Sequence, residues 1–62
     1  SVTVLHPDCM IADALATGLF AMGAEEGLQV AENHQLAVVY VLPDGEGFTT
    51  KASSSFPDFH SK

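Results

Sequence analysis

Cysteine is almost missing from this chain: Cys9 is the single one among 62 residues. That excludes an internal disulfide framework, and no cluster of Cys and His offers a structural zinc site in its place. Basic residues are nearly as scarce, with Lys51 and Lys62 set against eight acidic residues for a net charge of −6. A phosphate-backbone binder rests on Lys and Arg contacts, so nucleic acid is excluded as a partner. Long apolar runs are lacking too. The longest stretches without a charge, Ala14 to Ala24 and Asn33 to Pro43, span eleven residues each, short of the roughly 18–20 that a transmembrane helix requires. The chain has no initiator Met and no basic-then-apolar leader, so any targeting segment is expected upstream. What the chain does have is a hydrophobic content of 47%. At this length one core supplies only about 3–5 kcal/mol, and without staples the chain reads as a piece of something larger.

Ser1-Val2-Thr3-Val4-Leu5 alternates with period two, the pattern of a strand that buries one face. His6-Pro7-Asp8 breaks it, because Pro7 lacks a donor, while Asp8 can cap a helix beginning at about Cys9 or Met10. Ile11, Leu15, Leu19 and Met22 then recur at helical spacing along one side. Gly23 closes this helix as a C-terminal cap. Its other side carries Ala12, Ala16 and Phe20 around only two polar residues, Asp13 and Thr17, so nearly the whole surface of the helix asks for burial. A second, short helix is expected over Ala24–Glu32, with Glu25 and Glu26 in its first turn and Gly27 as an unfavourable interior residue. Leu36–Leu42 is an unbroken apolar run, read as a strand buried on both faces at the centre of the sheet. Pro43-Asp44-Gly45-Glu46-Gly47 is turn chemistry, and Phe48–Ala52 returns as the antiparallel partner. Phe56 and Phe59 read as anchors of the tail into a parent fold. The resulting fold class is α+β: strand, helix, short helix, strand, strand, without an internal repeat or a linker.

Asp13 and Thr17 stand four apart and project from one helix face, offering a carboxylate and a hydroxyl. Hard oxygen donors of this kind suit Mg²⁺, which takes one or two protein groups and completes its octahedron with water and phosphate. The same spacing also serves a plainer arrangement, in which the Thr17 hydroxyl bonds back to the Asp13 carbonyl and the carboxylate sits in water. Cys9, at a helix start, has the position of an activated thiol. With only His6 close by and no third member of a triad, it reads as a small buried hydrophobe. His6, His34 and His60 match no metal-ligand spacing, and Glu25-Glu26 reads as a solvated first turn.

The stretch Ala12-Asp13-Ala14-Leu15-Ala16-Thr17 follows a Ser1-Val2-Thr3-Val4 strand and precedes Leu19-Phe20 and Met22-Gly23. In this arrangement the sequence resembles the C-terminal segment of the ApbE family, the FAD:protein FMN transferases once described as thiamine biosynthesis lipoproteins. The likeness runs through roughly the first 30 residues and, more loosely, the Leu36–Leu42 strand and its hairpin. It implies that residues 1–62 form a single C-terminal segment of a larger flavin transferase domain, with Asp13 and Thr17 as metal ligands that hold Mg²⁺ against the pyrophosphate of FAD. It also implies transfer of FMN to a Thr or Ser hydroxyl of a target flavoprotein with release of AMP. The pockets for the flavin and adenine rings, and the remaining metal ligand, would lie upstream. Family members are typically exported, which implies a periplasmic or membrane-anchored location on the outer side of the inner membrane. Two other functions are consistent with the residues: a Mg²⁺-dependent FAD pyrophosphatase, and a non-catalytic α+β interaction domain whose apolar helix packs on a partner.

Overall fold

The computed structural model describes residues 1–57, and the expectations for Phe59, His60 and Lys62 lie outside these residues. The element order is β1 (Val2–Leu5), α1 (Cys9–Met22), α2 (Ala24–His34), β2 (Ala37–Asp44) and β3 (Gly47–Ala52). It is the α+β sequence of elements expected, with three antiparallel strands in the order β1-β2-β3. α1 packs on β1 and α2, and α2 on β2, so both helices lie against one face of the sheet.

Each boundary has a local cause. Asp8 caps α1, its Oδ1 accepting the N–H groups of Met10 at 2.9 Å and Ile11 at 3.2 Å, which satisfies two of the donors a helix start leaves orphaned. Gly23 ends α1 with φ at +88°, a backbone setting that glycine adopts without penalty. α2 runs two residues beyond the expected Glu32, to His34. Its end is held by Gln35 in the left-handed conformation, with Leu36 N–H reaching the Ala31 carbonyl at 2.8 Å and Gln35 N–H the Glu32 carbonyl at 3.3 Å. This is the Schellman bond pattern made without glycine, and for that reason no stop signal was legible there. β2 and β3 join through Gly45-Glu46, with positive φ at Gly45 alone, as a two-residue type II′ turn requires.

Pro43 belongs to β2 rather than to the turn. Val41 directs its N–H to the Ser1 carbonyl, so the Pro43 nitrogen, two residues on, points to the same side beyond the last β1 pair. No ladder bond is lost there. The expectation of a β2 buried on both faces is corrected as well. Val38 and Tyr40 are buried, whereas Ala37, Val39 and Val41 are half-buried, because both helices cover the same face. Val2 and Val4 face Tyr40 and Val38 across the ladder and join that covered side.

The core is Leu19, Ala31, Val38 and Tyr40, with Leu15, Leu28, Val30 and Leu42 packed around it. Of α1, only Leu19 is fully buried. Met10 is 80% exposed, Phe20 66% and Phe48 76%, and Ile11 and Met22 of the expected apolar stripe are exposed too. At the end of β3 the chain leaves the sheet by a substitution of groups. Ser53 N–H donates to the Val38 carbonyl at 2.9 Å, as a ladder pair should. The return bond from Val38 N–H goes to Ser53 Oγ at 3.0 Å instead of the Ser53 carbonyl, and that carbonyl accepts Phe56 N–H at 3.0 Å in a turn. The hydroxyl passes its own proton to the Leu36 carbonyl at 2.6 Å. Next to it, Ser54 gives both its N–H and its hydroxyl to Glu32 Oε2, at 2.7 and 2.9 Å, and so ties the tail to α2.

Two outcomes follow. Gly27→Ala would ordinarily stabilise a helix by about 1 kcal/mol, but here the added methyl overlaps the Tyr40 hydroxyl. The overlap reverses the sign, and thermal unfolding of the intact protein should show a loss of about 1–3 kcal/mol; a gain would mean that α2 moves aside freely. The 62-residue chain made alone should self-associate through Met10, Ile11, Phe20 and Phe48, since exposed apolar surface of this kind drives association. Sedimentation velocity reads this directly, and a monomer with a sharp, high-temperature transition would contradict it.

Candidate metal centre

The candidate residues sit on the outer side of α1, where both Asp13 and Thr17 are exposed. Four-residue spacing stacks them one turn apart. The Thr17 hydroxyl donates to the Asp13 carbonyl at 3.0 Å, which is the plainer of the two arrangements expected. It is also compatible with the other. A hydroxyl has one proton and two lone pairs, so a proton committed to the backbone leaves the oxygen as a pure acceptor. The Asp13 carboxylate keeps its oxygens free of hydrogen bonds among the described residues. Beside Thr17 lies a shallow depression of about 330 Å³ lined by Ser1, Val2, Ala16, Thr17 and Phe20, in which the start of β1 meets the middle of α1.

No three His, Cys, Asp or Glu side chains come together in a metal-binding group among the described residues. The candidate pair offers one carboxylate and one neutral hydroxyl, hard oxygen donors of the kind that suit Mg²⁺, which needs few protein ligands. The expectation of a buried Cys9 is corrected: it is exposed at the first position of α1, whose opening turn, with Met10 and Ile11, is left uncovered. Its neighbour His6 accepts the Asp8 N–H at Nδ1 at 3.0 Å, and no hydrogen bond joins the ring to the thiol among the described residues. His34 lies in the last turn of α2, and Glu25 and Glu26 lie exposed in its first, far from a constellation that could act.

Several consequential groups gave little sign of themselves in the sequence. Tyr40 is 2% exposed, and its hydroxyl donates to the Leu19 carbonyl at 2.6 Å. Desolvation by burial holds its phenol pKa above the ordinary value, so the group stays a donor. The Leu19 carbonyl is one of the last four of α1 and lacks the usual partner, because Gly23 N–H goes to Phe20 instead. Gly27 makes room for the hydroxyl to pass α2. The one available sign was this pairing, a lone tyrosine in an apolar strand and a glycine inside a helix. Ser53, buried at 4% exposure, gave none.

Comparison with known proteins adds a second line. The family model of the ApbE family matches residues 1–40. An FAD:protein FMN transferase of Vibrio cholerae is 53% identical over all 62 residues, which are 19% of its own length. One of Haemophilus influenzae is 50% identical over 56 residues, 90% of this chain and 16% of that protein. Among solved structures, the flavin transferase ApbE from Vibrio cholerae superposes with a TM-score of 0.82 at 53% identity, covering 89% of this chain and 18% of that one. The apo form of the Pseudomonas stutzeri flavinyl transferase ApbE gives 0.80 at 37% identity, covering 87% and 18%. The likeness thus reaches past the first 30 residues and takes in the hairpin. The chain spans about one fifth of the length of the relatives it matches, and by its matched residues, its identity to those relatives and its superposition on their structures it belongs to the ApbE family.

Proposed function

We propose that this chain is the C-terminal segment of a longer FAD:protein FMN transferase and that Asp13 and Thr17 supply two of the oxygen donors for Mg²⁺ at its active site. The enzyme moves FMN from FAD to a Thr or Ser hydroxyl of a target flavoprotein and releases AMP. Support for the reaction class comes from relatives that carry this name and match the whole chain at 53% identity. The metal assignment is supported by the placement of both oxygens on one exposed face of α1, a turn apart, within the stretch that the ApbE family model matches. The bond from the Thr17 hydroxyl to the Asp13 carbonyl is compatible with it and does not favour it.

Mg²⁺, when bound, supplies positive charge beside the phosphoanhydride that links the FMN and AMP halves. The residues of this chain do the rest by placement. Asp13 contributes the negative charge that holds a cation, and Thr17 a neutral oxygen that fixes its direction. The depression beside Thr17, walled by Val2, Ala16 and Phe20, leaves one side of that position open to a substrate phosphate.

In the intact protein, Asp13→Asn should weaken Mg²⁺ binding at least 10–100-fold, the range seen when a supporting group of a metal site is lost. Thr17→Val should cost less, since water can replace a neutral donor. Both positions are exposed, so stability should stay within about 0.5 kcal/mol. FMN transfer followed against Mg²⁺ concentration decides it, and curves for wild type and Asp13→Asn that superimpose would remove Asp13 from the site. The 62-residue chain by itself should not bind FAD tightly, because a ligand of that size needs a concave site that buries most of its surface. Flavin fluorescence during a titration should stay that of free FAD, and a micromolar isotherm would show that the flavin pocket lies within these residues.

A further inference from the structure

We infer that Tyr40 is a positioning residue for the Asp13–Thr17 pair, acting through the Leu19 carbonyl; this rests on the metal reading above. The reason lies in what fixes the orientation of α1. Leu19 is its only fully buried side chain. At 3.6 residues per turn, Leu19 points roughly 200° around the axis from Thr17 and roughly 240° from Asp13. The core-facing Leu19, with Leu15 packed beside it, therefore lies across the helix from the two exposed donors, and this burial sets the direction in which they face.

Burial of Leu19 fixes which way α1 faces, and its position along the axis takes a further restraint. Backbone carbonyls of a helix point along that axis toward its C-terminus, so a hydrogen bond to one of them fixes axial position. Tyr40 makes that bond at 2.6 Å. Its own base is firm, because β2 is the middle strand, paired on both sides at Tyr40, and the ring is 2% exposed. The hydroxyl reaches α1 past Gly27, where any side chain would meet it. Sheet, second helix and first helix thus converge on one oxygen, two residues beyond Thr17. Ligand donors must be held to about 0.5 Å for tight binding, and Tyr40 touches neither metal nor substrate in doing so.

The test is a titration of the full-length protein with Mn²⁺ alone, read by electron paramagnetic resonance of the free ion, for wild type, Asp13→Asn, Tyr40→Phe, Gly27→Ala and Val38→Ala. Val38 is buried in the same core and has no bond to α1, so Val38→Ala reports general loss of stability. Tyr40→Phe should weaken Mn²⁺ about tenfold, the lower end of what second-layer partners contribute. Gly27→Ala, which keeps the phenol but pushes it from its carbonyl, should do the same, and Val38→Ala should stay within twofold of wild type. Should either of the first two variants fail to fold, the other carries the comparison. Mn²⁺ binding unchanged in Tyr40→Phe or Gly27→Ala while Asp13→Asn loses it would overturn the positioning role and leave the metal site standing. Equal weakening in Val38→Ala would overturn it too, by showing that any loss of stability suffices. Unchanged binding in Asp13→Asn would remove the site itself and this role with it.

Discussion

A single hydroxyl, that of Tyr40, makes the connection on which the packing of this chain depends. It satisfies a helix-end carbonyl that has no other partner, from inside a core of four residues. In so small an interior an unpaired buried carbonyl would cost about 1–3 kcal/mol, a large share of what one core can provide. The bond exists only because α2 presents a gap instead of a side chain at Gly27. A residue that weakens a helix in isolation is therefore the one that lets two helices and a sheet close on one another. No buried side-chain nitrogen or oxygen is left without a partner among the described residues.

The two faces of α1 serve different ends. Toward the sheet it offers Leu19, with Leu15 beside it. Its exposed side, which meets the start of β1 at one edge, shows Asp13 and Thr17 together with Phe20, 66% exposed. A carboxylate and a hydroxyl are hydrated while exposed, and a lower dielectric would strengthen their attraction for a cation once water is excluded.

Much of this was legible from local chemistry. The alternation of Val2 and Val4 identified the inward face of β1, Asp8 the start of α1, and Gly23 its end, since each of these depends on neighbours a few residues away. The exposure of Ile11, Met22 and Phe20 was not legible, because periodicity states which side chains favour burial and is silent on what lies near enough to bury them. Pro43 read as a turn because its position beyond the end of β1 is a fact of the sheet. At the site, four-residue spacing brought Asp13 and Thr17 to one face, and it served the hydroxyl-to-carbonyl bond and the ligand pair equally. Tyr40 and Gly27 lie thirteen positions apart, and their dependence on one another is visible only in three dimensions.

The exchange at Ser53, where a side-chain oxygen takes the role of a peptide oxygen so that the chain can turn away, makes the hairpin self-checking. If β3 slipped by one residue in one direction, Ala52 would face Val38 and offer it no side-chain oxygen. A slip in the other direction would bring Ser54, which does carry a hydroxyl, but would draw that residue away from Glu32. Only one alignment satisfies Val38, Leu36 and Glu32 together. A strand whose outer residues are all exposed, and whose own hydrophobicity specifies its register weakly, is thus read out by oxygen chemistry at its last rung, much as a check digit validates a string whose other characters could be shifted.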